Sequence, residues 1–248
     1  MAVIYILWLR QIKRYLRSKE RIIGSIGQPL LFLVALGFGI GPIYQKAGGG
    51  NYVQFIGPGV TAMGILFTSV FSGIEIIWDK QFGFLKETLV APVSRFKIML
   101  GRTLGGATVA MIQGTIIFIL SLVIGMDIPN IRFLPLVALF MFLTAIIFTA
   151  LGTAIASVLE DMQGFQLIVN FLIMPLFFLS GALFPLDGLP GFIKVIVVIN
   201  PLSYGVDGMR SAITGVSHFG MLTDFSVLAI FSVVLIILGG YLFSRIEV

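Results

Sequence analysis

Six long apolar segments, separated by short polar segments, run through the chain. They cover residues 22–42, 54–78, 98–125, 133–158, 166–184 and 222–243. A helix needs about 20 residues to cross about 30 Å of hydrocarbon. Backbone groups inside lipid must be paired within the segment, as in a helix, and the alternating pattern of barrel strands is absent. The pattern therefore predicts an all-α membrane protein with six transmembrane helices.

Residues 3–20 have the pattern of an amphipathic helix on the membrane surface. Apolar and aromatic residues recur at helical spacing, opposite a basic face. The apolar positions are Ile4, Trp8, Ile12, Tyr15 and Leu16, and the basic positions are Arg10, Lys13, Arg14, Arg17 and Arg21. A basic cytoplasmic tail is the alternative, but both faces keep the helical period. We therefore divide the chain into an interfacial helix, 1–21, and a six-span region, 22–248.

A further apolar stretch, 192–199, is too short to cross a membrane. Pro190 and Gly191 precede it, and Asn200 and Pro201 follow it. Backbone that does not span can lie at membrane depth only where other parts of the protein cover it. The stretch therefore predicts a short re-entrant or interfacial helix.

The distribution of Lys and Arg predicts the orientation. With the N-terminus inside, the cytoplasmic segments carry 12 Lys and Arg residues and the outer segments carry 4. Positive residues are enriched in cytoplasmic loops. We therefore expect a multi-pass protein of the plasma or inner membrane with both termini in the cytoplasm, the 79–97 segment inside and the 185–221 segment outside.

Composition limits the kinds of chemistry available to the chain. Hydrophobic residues make up 58% and charged residues 11%, whereas soluble domains have roughly 25% charged residues. The chain has no cysteine and one histidine, His218, so disulfides, thiolate sites and a histidine-built zinc site are not expected. The net charge of +5 is concentrated near the first apolar segment, which indicates membrane lipid rather than nucleic acid as the partner.

The cytoplasmic segment between the second and third apolar segments predicts a short amphipathic helix from Gly83 to Val90, which ends before Pro92. Its apolar side is formed by Phe84, Leu85, Thr88 and Leu89, and Lys86 and Glu87 face water. Such a helix suits docking into a partner's groove. It could equally cover the bundle of its own chain, and the pattern alone leaves both possibilities open.

Four stretches, in this order, resemble the ABC type-2 exporter permeases. A basic surface helix precedes the first span, and FIGPGV at 55–60 opens the second. The cytoplasmic segment matches a charged pair, a glycine and Leu-x-x-x-Leu-x-x-Pro-Val-Ser-Arg, at Asp79, Lys80, Gly83, Leu85, Leu89, Pro92, Val93, Ser94 and Arg95. FLSGALFPLDGLPGFIKVIVVINPLSYGVDGMR at 178–210 forms the fourth stretch. The daunorubicin-resistance-type permeases are the most similar branch.

The resemblance implies a dimer of six-helix subunits, either a homodimer or a pair with a sister permease, that works with two ATP-binding subunits. It implies a coupling helix at about 83–91 that contacts the ATPase, and outer re-entrant helices at about 185–210. It also implies that ATP and magnesium bind to the partner, and the sequence agrees, since it has no G-x-x-x-x-G-K-[ST] motif and no expected cofactor site of its own. The GRTLGG stretch at 101–106 instead favours close helix packing through Gly101 and Gly105.

The coupling residues that the resemblance implies are Asp79, Lys80, Gly83, Phe84, Leu85, Lys86, Glu87, Leu89, Pro92 and Arg95. The family often has Glu-Arg where this chain has Asp79 and Lys80. Lysine lacks the two-pronged geometry of arginine, which puts a fixed salt bridge at this position in question.

Four residues within the apolar segments are candidates for a substrate pathway: Glu75, Gln113, Asn170 and Pro175. Intramembrane carboxylates often mark function, but Glu75 is close enough to the interface to reach the headgroups. Gln113 and Asn170 line a pathway or hydrogen-bond between helices, and Pro175 bends its helix. The candidates for an outer gate are Pro185, Pro190, Pro201, Asp207 and Arg210, and the last two are spaced to form a surface ion pair.

The favoured function is the membrane subunit of an ATP-driven exporter of a drug, lipid or polysaccharide. An ion-coupled secondary transporter acting without an ATPase is the alternative, although such proteins have paired broken helices and buried ionisable residues near the midplane. An intramembrane enzyme is less favoured, because convergent acids, bases or metal ligands are lacking.

Overall fold

The computed structural model describes residues 2–90, 92–129, 131–186 and 188–246. These residues form eleven α-helices and one 3-10 turn, with no strand among them. The helices are α1 (Ala2–Arg17), α2 (Lys19–Lys46), α3 (Tyr52–Phe71), α4 (Ile74–Gln81), α5 (Phe84–Val90), α6 (Arg95–Ile124), α7 (Leu134–Val158), α8 (Met162–Phe178), α9 (Gly191–Ile199), α10 (Pro201–Thr214) and α11 (Met221–Ser244). The 3-10 turn, η1 (Ile131–Phe133), precedes α7.

Five helical segments of the described chain are long and apolar enough to cross a membrane. They are α2, the pair α3 and α4 taken together, α6, η1 with α7, and α11. The bent pair of α9 and α10 would be a sixth if it were counted as one span, although its two helices meet at 82°. The prediction of an all-helical membrane protein is confirmed, with five to six candidate spans.

The fifth predicted span, 166–184, is α8, which is shifted toward the N-terminus and has only 17 residues. α8 runs beside α3 and α4 in the opposite direction. Trp78 of α4 donates its indole N–H to the sulfur of Met162, at the start of α8. Beyond the other end of α8, the backbone of Ala182 lies against Gly59 of α3. α8 therefore extends along the bundle from the end that carries α5 (the α5 end) toward the end that carries Asn51 and Gly125 (the opposite end).

α3 lies at the centre of the bundle and packs against α2, α6 and α7. The helices approach closely where their residues are small. A Cβ atom on Gly152 of α7 would fall on the carbonyl oxygen of Val70, and one on Gly73 would fall on the carbonyl oxygen of Gly152. In lipid, packing of this kind holds helices together because burial of apolar surface supplies little driving force. The crossing of α3 and α7 therefore depends on the absence of side chains at these two glycines.

α1 packs lengthwise against α6, which departs from the prediction that its apolar face lies on the membrane. Cβ atoms on Gly101 and Gly105 would meet the backbone of Ile4 and the side chain of Gln11 at 3.1 and 2.7 Å. Trp8 donates its indole N–H to Thr108 Oγ1 at 2.9 Å. The prediction that these two glycines serve close helix packing is confirmed. An apolar stripe has the same spacing whether it faces lipid or a neighbouring helix, so the sequence did not distinguish the two.

Candidate functional site

α5 turns back from α4 at Gly83, whose φ of +78° favours glycine. Leu85 is buried and Leu89 packs partly against the core, whereas Phe84 and Val90 are 53% and 85% exposed. α5 therefore covers its own bundle with Leu85 and Leu89 and presents Phe84 and Val90, with Glu87 between them, on its exposed side. The predicted coupling helix included Ala91, which lies outside the described residues, and Lys86, of whose side chain nothing is described.

Asp79 connects α4 to α6 and to α1. One carboxylate oxygen pairs with Arg102 of α6, and the other lies 3.4 Å from Arg10 of α1. Asp79 and Arg102 are 3% and 4% exposed, so this is a buried ion pair. The neighbouring Lys80 is not a partner of Asp79 in the described contacts. Asp79 and Lys80, although adjacent in the sequence, therefore contact different helices.

Lys80 caps the end of α7. Its ammonium group donates hydrogen bonds to the carbonyl oxygens of Ala156, Ser157 and Leu159, at 3.1, 2.8 and 3.0 Å. These carbonyls belong to the last turn of α7, where helical partners are missing and a cation is favourable.

Replacing Lys80 with methionine should lower the free energy of unfolding by about 1–3 kcal/mol, because charged hydrogen bonds to the α7 carbonyls are lost. The measurement is the thermal midpoint of the chain in lipid nanodiscs. Lys46→Met is the matched control, since Lys46 is exposed in the last turn of α2. An equal effect of both substitutions would contradict the capping role.

Arg95 holds the end of α11 in the same way. Its Nη1 donates to the carbonyl oxygens of Ser244 and Ile246, at 2.7 and 2.9 Å. Glu87 and Pro92 are exposed. The predicted coupling residues thus fall into two groups: Asp79, Lys80, Leu85 and Arg95 contact other helices of this chain, and Phe84, Glu87 and Pro92 face outward.

Glu75 connects the N-terminal helices to α4. Its carboxylate lies 2.9 Å from Arg21 and 3.6 Å from Arg14. The residue is 4% exposed, so the interpretation that it reaches toward headgroups is wrong. The two arginines supply the countercharge that makes its burial tolerable.

A cleft of about 640 Å³ opens at the α5 end, between α1 and the junction of α4 and α5. Basic residues and aromatic rings share its walls. The polar part of its lining is Arg10, Lys13, Arg14, Arg17 and Asp79, and the aromatic part is Trp78, Phe82 and Phe84. The cleft therefore offers a positively charged surface beside the exposed face of α5.

The remaining pathway candidates have different environments. Gln113 is buried in α6 and accepts a hydrogen bond from Tyr15 of α1, which is the helix-to-helix alternative considered for it. Burial raises the pKa of Tyr15, which therefore stays a donor at physiological pH. Asn170 and Pro175 are both exposed on α8. Of the four pathway candidates, only Asn170 and Pro175 lie on the surface of the bundle.

At the opposite end, Asp207 and Arg210 of α10 bind different groups. Arg210 donates to the carbonyl oxygens of Phe55 and Gly181, at 3.2 and 2.8 Å, and its guanidinium stands 4.1 Å from the centre of the Phe55 ring. Asp207 is 3% exposed and accepts hydrogen bonds from the segment between α10 and α11. The expected surface ion pair is not formed, because backbone groups that are distant in sequence take both side chains.

The predicted gate prolines mark boundaries of helices. Pro190 is the N-cap of α9 and Pro201 begins α10, while Pro185 is exposed in the preceding segment. Asp187 in the same range lies outside the described residues. Pro185, Asp207 and Arg210 border a second cleft of about 560 Å³, together with Tyr44 and His218.

Two charged residues were missed as site residues. Arg102 was counted only as a cytoplasmic positive charge, although a buried carboxylate at Asp79 requires a cation nearby. Asp224 lies at the start of the last apolar segment, 222–243, and was not singled out, but it is fully buried. An acidic residue adjoining a span is the signal that could have identified it.

The comparisons with known proteins agree with this fold. The model of the ABC-2 type transporter family matches residues 2–214. The putative transport permease ycf38 of Cyanophora paradoxa is 32% identical over 206 residues, which cover 79% of this chain and 70% of that protein.

Two bacterial proteins match over nearly their whole length. The inner membrane transport permease YadH of Escherichia coli strain K12 is 26% identical over 242 residues, covering 96% of this chain and 93% of that protein. Nodulation protein J of Rhizobium leguminosarum bv. viciae is 27% identical over 247 residues, with coverages of 96% and 94%. Since the family model spans most of the chain, and the described residues form a bundle of apolar helices, this chain belongs to the ABC-2 type transporter family of multi-pass membrane transport permeases.

Proposed function

We propose that the chain is the permease subunit of an ATP-driven exporter, in which a separate subunit binds and hydrolyses ATP with magnesium. Membership of the ABC-2 family and the names of the similar permeases support transport as the function. In this proposal, α1 lies at the cytoplasmic interface with Tyr5, Ile6 and Leu16, all exposed, toward lipid. Both termini and the α5 end face the cytoplasm, as the distribution of Lys and Arg indicates.

The exposed face of α5 is the observation that carries the proposal. Phe84 and Val90 protrude at an end of the bundle that the charge distribution places in water, next to a basic cleft. Apolar side chains grouped on a wet surface mark an interaction site. The ATPase subunit would therefore dock on α5 with an apolar contact that is flanked by acidic groups facing Arg10, Lys13 and Arg17.

The inner side of α5 supports a coupling role. Leu85 is inserted into the core, and the residues on either side of α5 bind three different spans. Asp79 binds α6, Lys80 binds α7 and Arg95 binds α11. Displacement of α5 by the ATPase would therefore be transmitted to three membrane helices through contacts that are already formed.

The proposed membrane topology has six spans, with α8 as the fifth and α9 and α10 as a re-entrant pair at the outer surface. Asn200 stands at the bend and donates to the carbonyl oxygen of Leu176 in α8. α10 then packs against α7, where Cβ atoms on Gly205 and Gly208 would meet Thr144 and Phe140. The even number of spans agrees with the placement of both termini on one side.

We also propose that α8 borders the substrate pathway at a dimer interface, formed with a second copy or with a sister permease. α8 buries only one stripe, and Leu167 and Phe171 are 72% and 83% exposed. Exposed apolar residues are ordinary in lipid, but an exposed Asn170 in the middle of the same helix is costly there. This cost is removed if Asn170 contacts another subunit or faces a polar substrate pathway instead of lipid.

The test is co-expression with candidate ATP-binding subunits of the same host, followed by purification in nanodiscs. We expect Val90→Asp to reduce the amount of co-purified ATPase by about tenfold or more, because a charge would be buried in an apolar contact. Phe84→Ala should act in the same direction. Leu85 is unsuitable for this test because its replacement would disturb the core of the permease.

Val216→Asp is the matched control, because Val216 is 70% exposed at the opposite end. It should leave the co-purified ATPase unchanged. If Val90→Asp and Val216→Asp retain equal amounts of ATPase, α5 is not the docking element. If no candidate ATPase binds the unmodified chain, the ion-coupled transporter becomes the function to test.

A further inference from the structure

Arg210 has more hydrogen-bond donors than its contacts within the described residues use. Both of its described hydrogen bonds, to the carbonyl oxygens of Phe55 and Gly181, come from Nη2. Nε is buried without an acceptor in the part of the chain that the structure describes, and Nη1 donates none of the described bonds. A guanidinium group carries five N–H donors, and donors that lose water without gaining an acceptor cost free energy. The remaining donors of Arg210 therefore favour an acceptor from outside the chain.

The positive charge of Arg210 is not paired with a carboxylate of the described residues. Asp207, one turn earlier on α10, is 3% exposed, and its carboxylate accepts hydrogen bonds from the backbone N–H groups of His218 and Phe219. The Phe55 ring, 4.1 Å from the guanidinium, and the two carbonyl oxygens supply only partial negative charge. A partly buried cation in these surroundings is stabilised by an anion beside it.

The cleft of about 560 Å³ at the opposite end gives a ligand access to this guanidinium. Arg210 is only partly buried and forms part of the cleft wall. Tyr44 borders the same cleft, its ring centre lies 5.9 Å from that of Phe55, and its hydroxyl makes none of the described hydrogen bonds. Arg210 and Tyr44 therefore pack against the same ring, and each has a donor left for a ligand. Clefts of this volume accommodate small ligands.

We propose that this cleft binds one oxyanion, a carboxylate or a phosphate group, through Nη1 of Arg210 and the hydroxyl of Tyr44. Guanidinium groups form strong, charge-assisted hydrogen bonds with such oxyanions. Asp207 also borders the cleft, and its negative charge opposes an anion although its oxygens already accept hydrogen bonds. The expected dissociation constant is therefore modest, on the order of 1 mM.

A bound oxyanion would strengthen a connection that Arg210 already makes. The side chain links α10, which carries it, to α3 at Phe55 and to the segment after α8 at Gly181. In the proposed topology this end faces outward, so the oxyanion belongs to a phospholipid headgroup of the outer leaflet or to a soluble molecule. The placement outside rests on that topology, whereas binding to the cleft depends neither on an ATPase nor on the direction of transport.

The experiment is thermal unfolding of the full chain in nanodiscs of phosphatidylcholine, titrated with sodium phosphate or sodium acetate at constant pH and ionic strength. We expect a saturable rise in the midpoint, by about 3–6 °C at about ten times the dissociation constant. Arg210→Gln keeps an amide that can donate to the carbonyl oxygens but removes the charge, so the rise should disappear. Arg132→Gln is the matched control and should keep the rise, because Arg132 is exposed in η1.

Tyr44→Phe keeps the test decisive if Arg210→Gln folds poorly. This substitution retains the ring beside Phe55 and removes only the hydroxyl. We expect the dissociation constant for phosphate to increase by about fivefold, as for the loss of one hydrogen bond. Tyr241→Phe removes a hydroxyl that is exposed on α11 at the α5 end, so it should leave the dissociation constant unchanged.

Phosphate also stabilises proteins by being excluded from their surfaces. An equal rise in the unmodified chain and in Arg210→Gln would therefore overturn the proposal, as would equal dissociation constants for the unmodified chain and Tyr44→Phe. Nanodiscs that contain phosphatidylglycerol identify the source of the oxyanion. A midpoint that this lipid raises in the unmodified chain but not in Arg210→Gln, with no further effect of phosphate, places a lipid headgroup in the cleft. If phosphate, acetate and phosphatidylglycerol all leave the midpoint unchanged, the cleft does not bind an oxyanion.

Discussion

Replacing Asp79 with leucine should destabilise the permease by about 3–5 kcal/mol, because Arg102 would be left as a buried charge without its closest partner. The effect should be visible as loss of monodisperse protein after extraction, or as a large fall in the thermal midpoint. Removal of the arginine as well should reverse most of the loss, since the double variant Asp79→Leu with Arg102→Leu buries no charge. The measurement is the midpoint of both single variants and the double variant.

The double variant separates the ion pair from general damage at the site. The effects of substituting two residues in contact are not additive. The double variant should therefore lose less stability than the sum of the losses in the two single variants. Glu87→Leu is the control, because it removes an exposed carboxylate from the neighbouring helix. If the double variant is as unstable as the sum of the single variants, the pair does not act as a unit.

Replacing Gly152 with valine should have a comparable effect by a different mechanism. The added side chain would overlap the backbone of Val70, and backbone cannot move aside as a flexible side chain can. Overpacking of this kind costs about 1–3 kcal/mol or more, which corresponds to a fall of about 3–12 °C in the midpoint. We expect α3 and α7 to separate locally, which would also disturb the neighbouring contact at Gly73.

Gly24→Val is the matched control for this prediction. Gly24 is also within a helix, α2, but a Cβ atom there has no neighbour within 4 Å. Both substitutions add the same side chain with the same helix propensity, so their difference measures the crossing. Equal midpoints of the two variants would show that the crossing of α3 and α7 can relax.

Features that depend on solvent were predictable from the sequence. Five of the six predicted apolar segments coincide with helices long enough to span a membrane, because membrane thickness fixes the length of such a helix. Gly83 and Pro92 bounded the α5 region because backbone conformation is local. The faces of α5 were predicted only in part, because Leu85 is buried but Phe84, assigned to the same apolar side, is exposed. The packing role of Gly101 and Gly105 was also predictable from the sequence, but the sequence did not show that α1 is the helix they contact.

Contacts between residues distant in the sequence were not predictable from spacing. Asp79 finds Arg102, and Lys80 finds the end of α7, although their adjacency suggested one shared role. Asp207 and Arg210 have the spacing of an ion pair, yet backbone groups from other segments bind both. A single sequence records which residues need partners, and the fold decides which partners they receive.

The length of α8 has a consequence for the surrounding lipid. At 1.5 Å per residue, its 17 residues extend about 26 Å, whereas the 28 residues of α2 extend about 42 Å. In the proposed topology, one bilayer must accommodate both, so α2 tilts and the hydrocarbon layer beside α8 becomes thinner. Acyl chain length would then act on this permease through a single helix, and membranes of different thickness would favour different positions of α8 against α3.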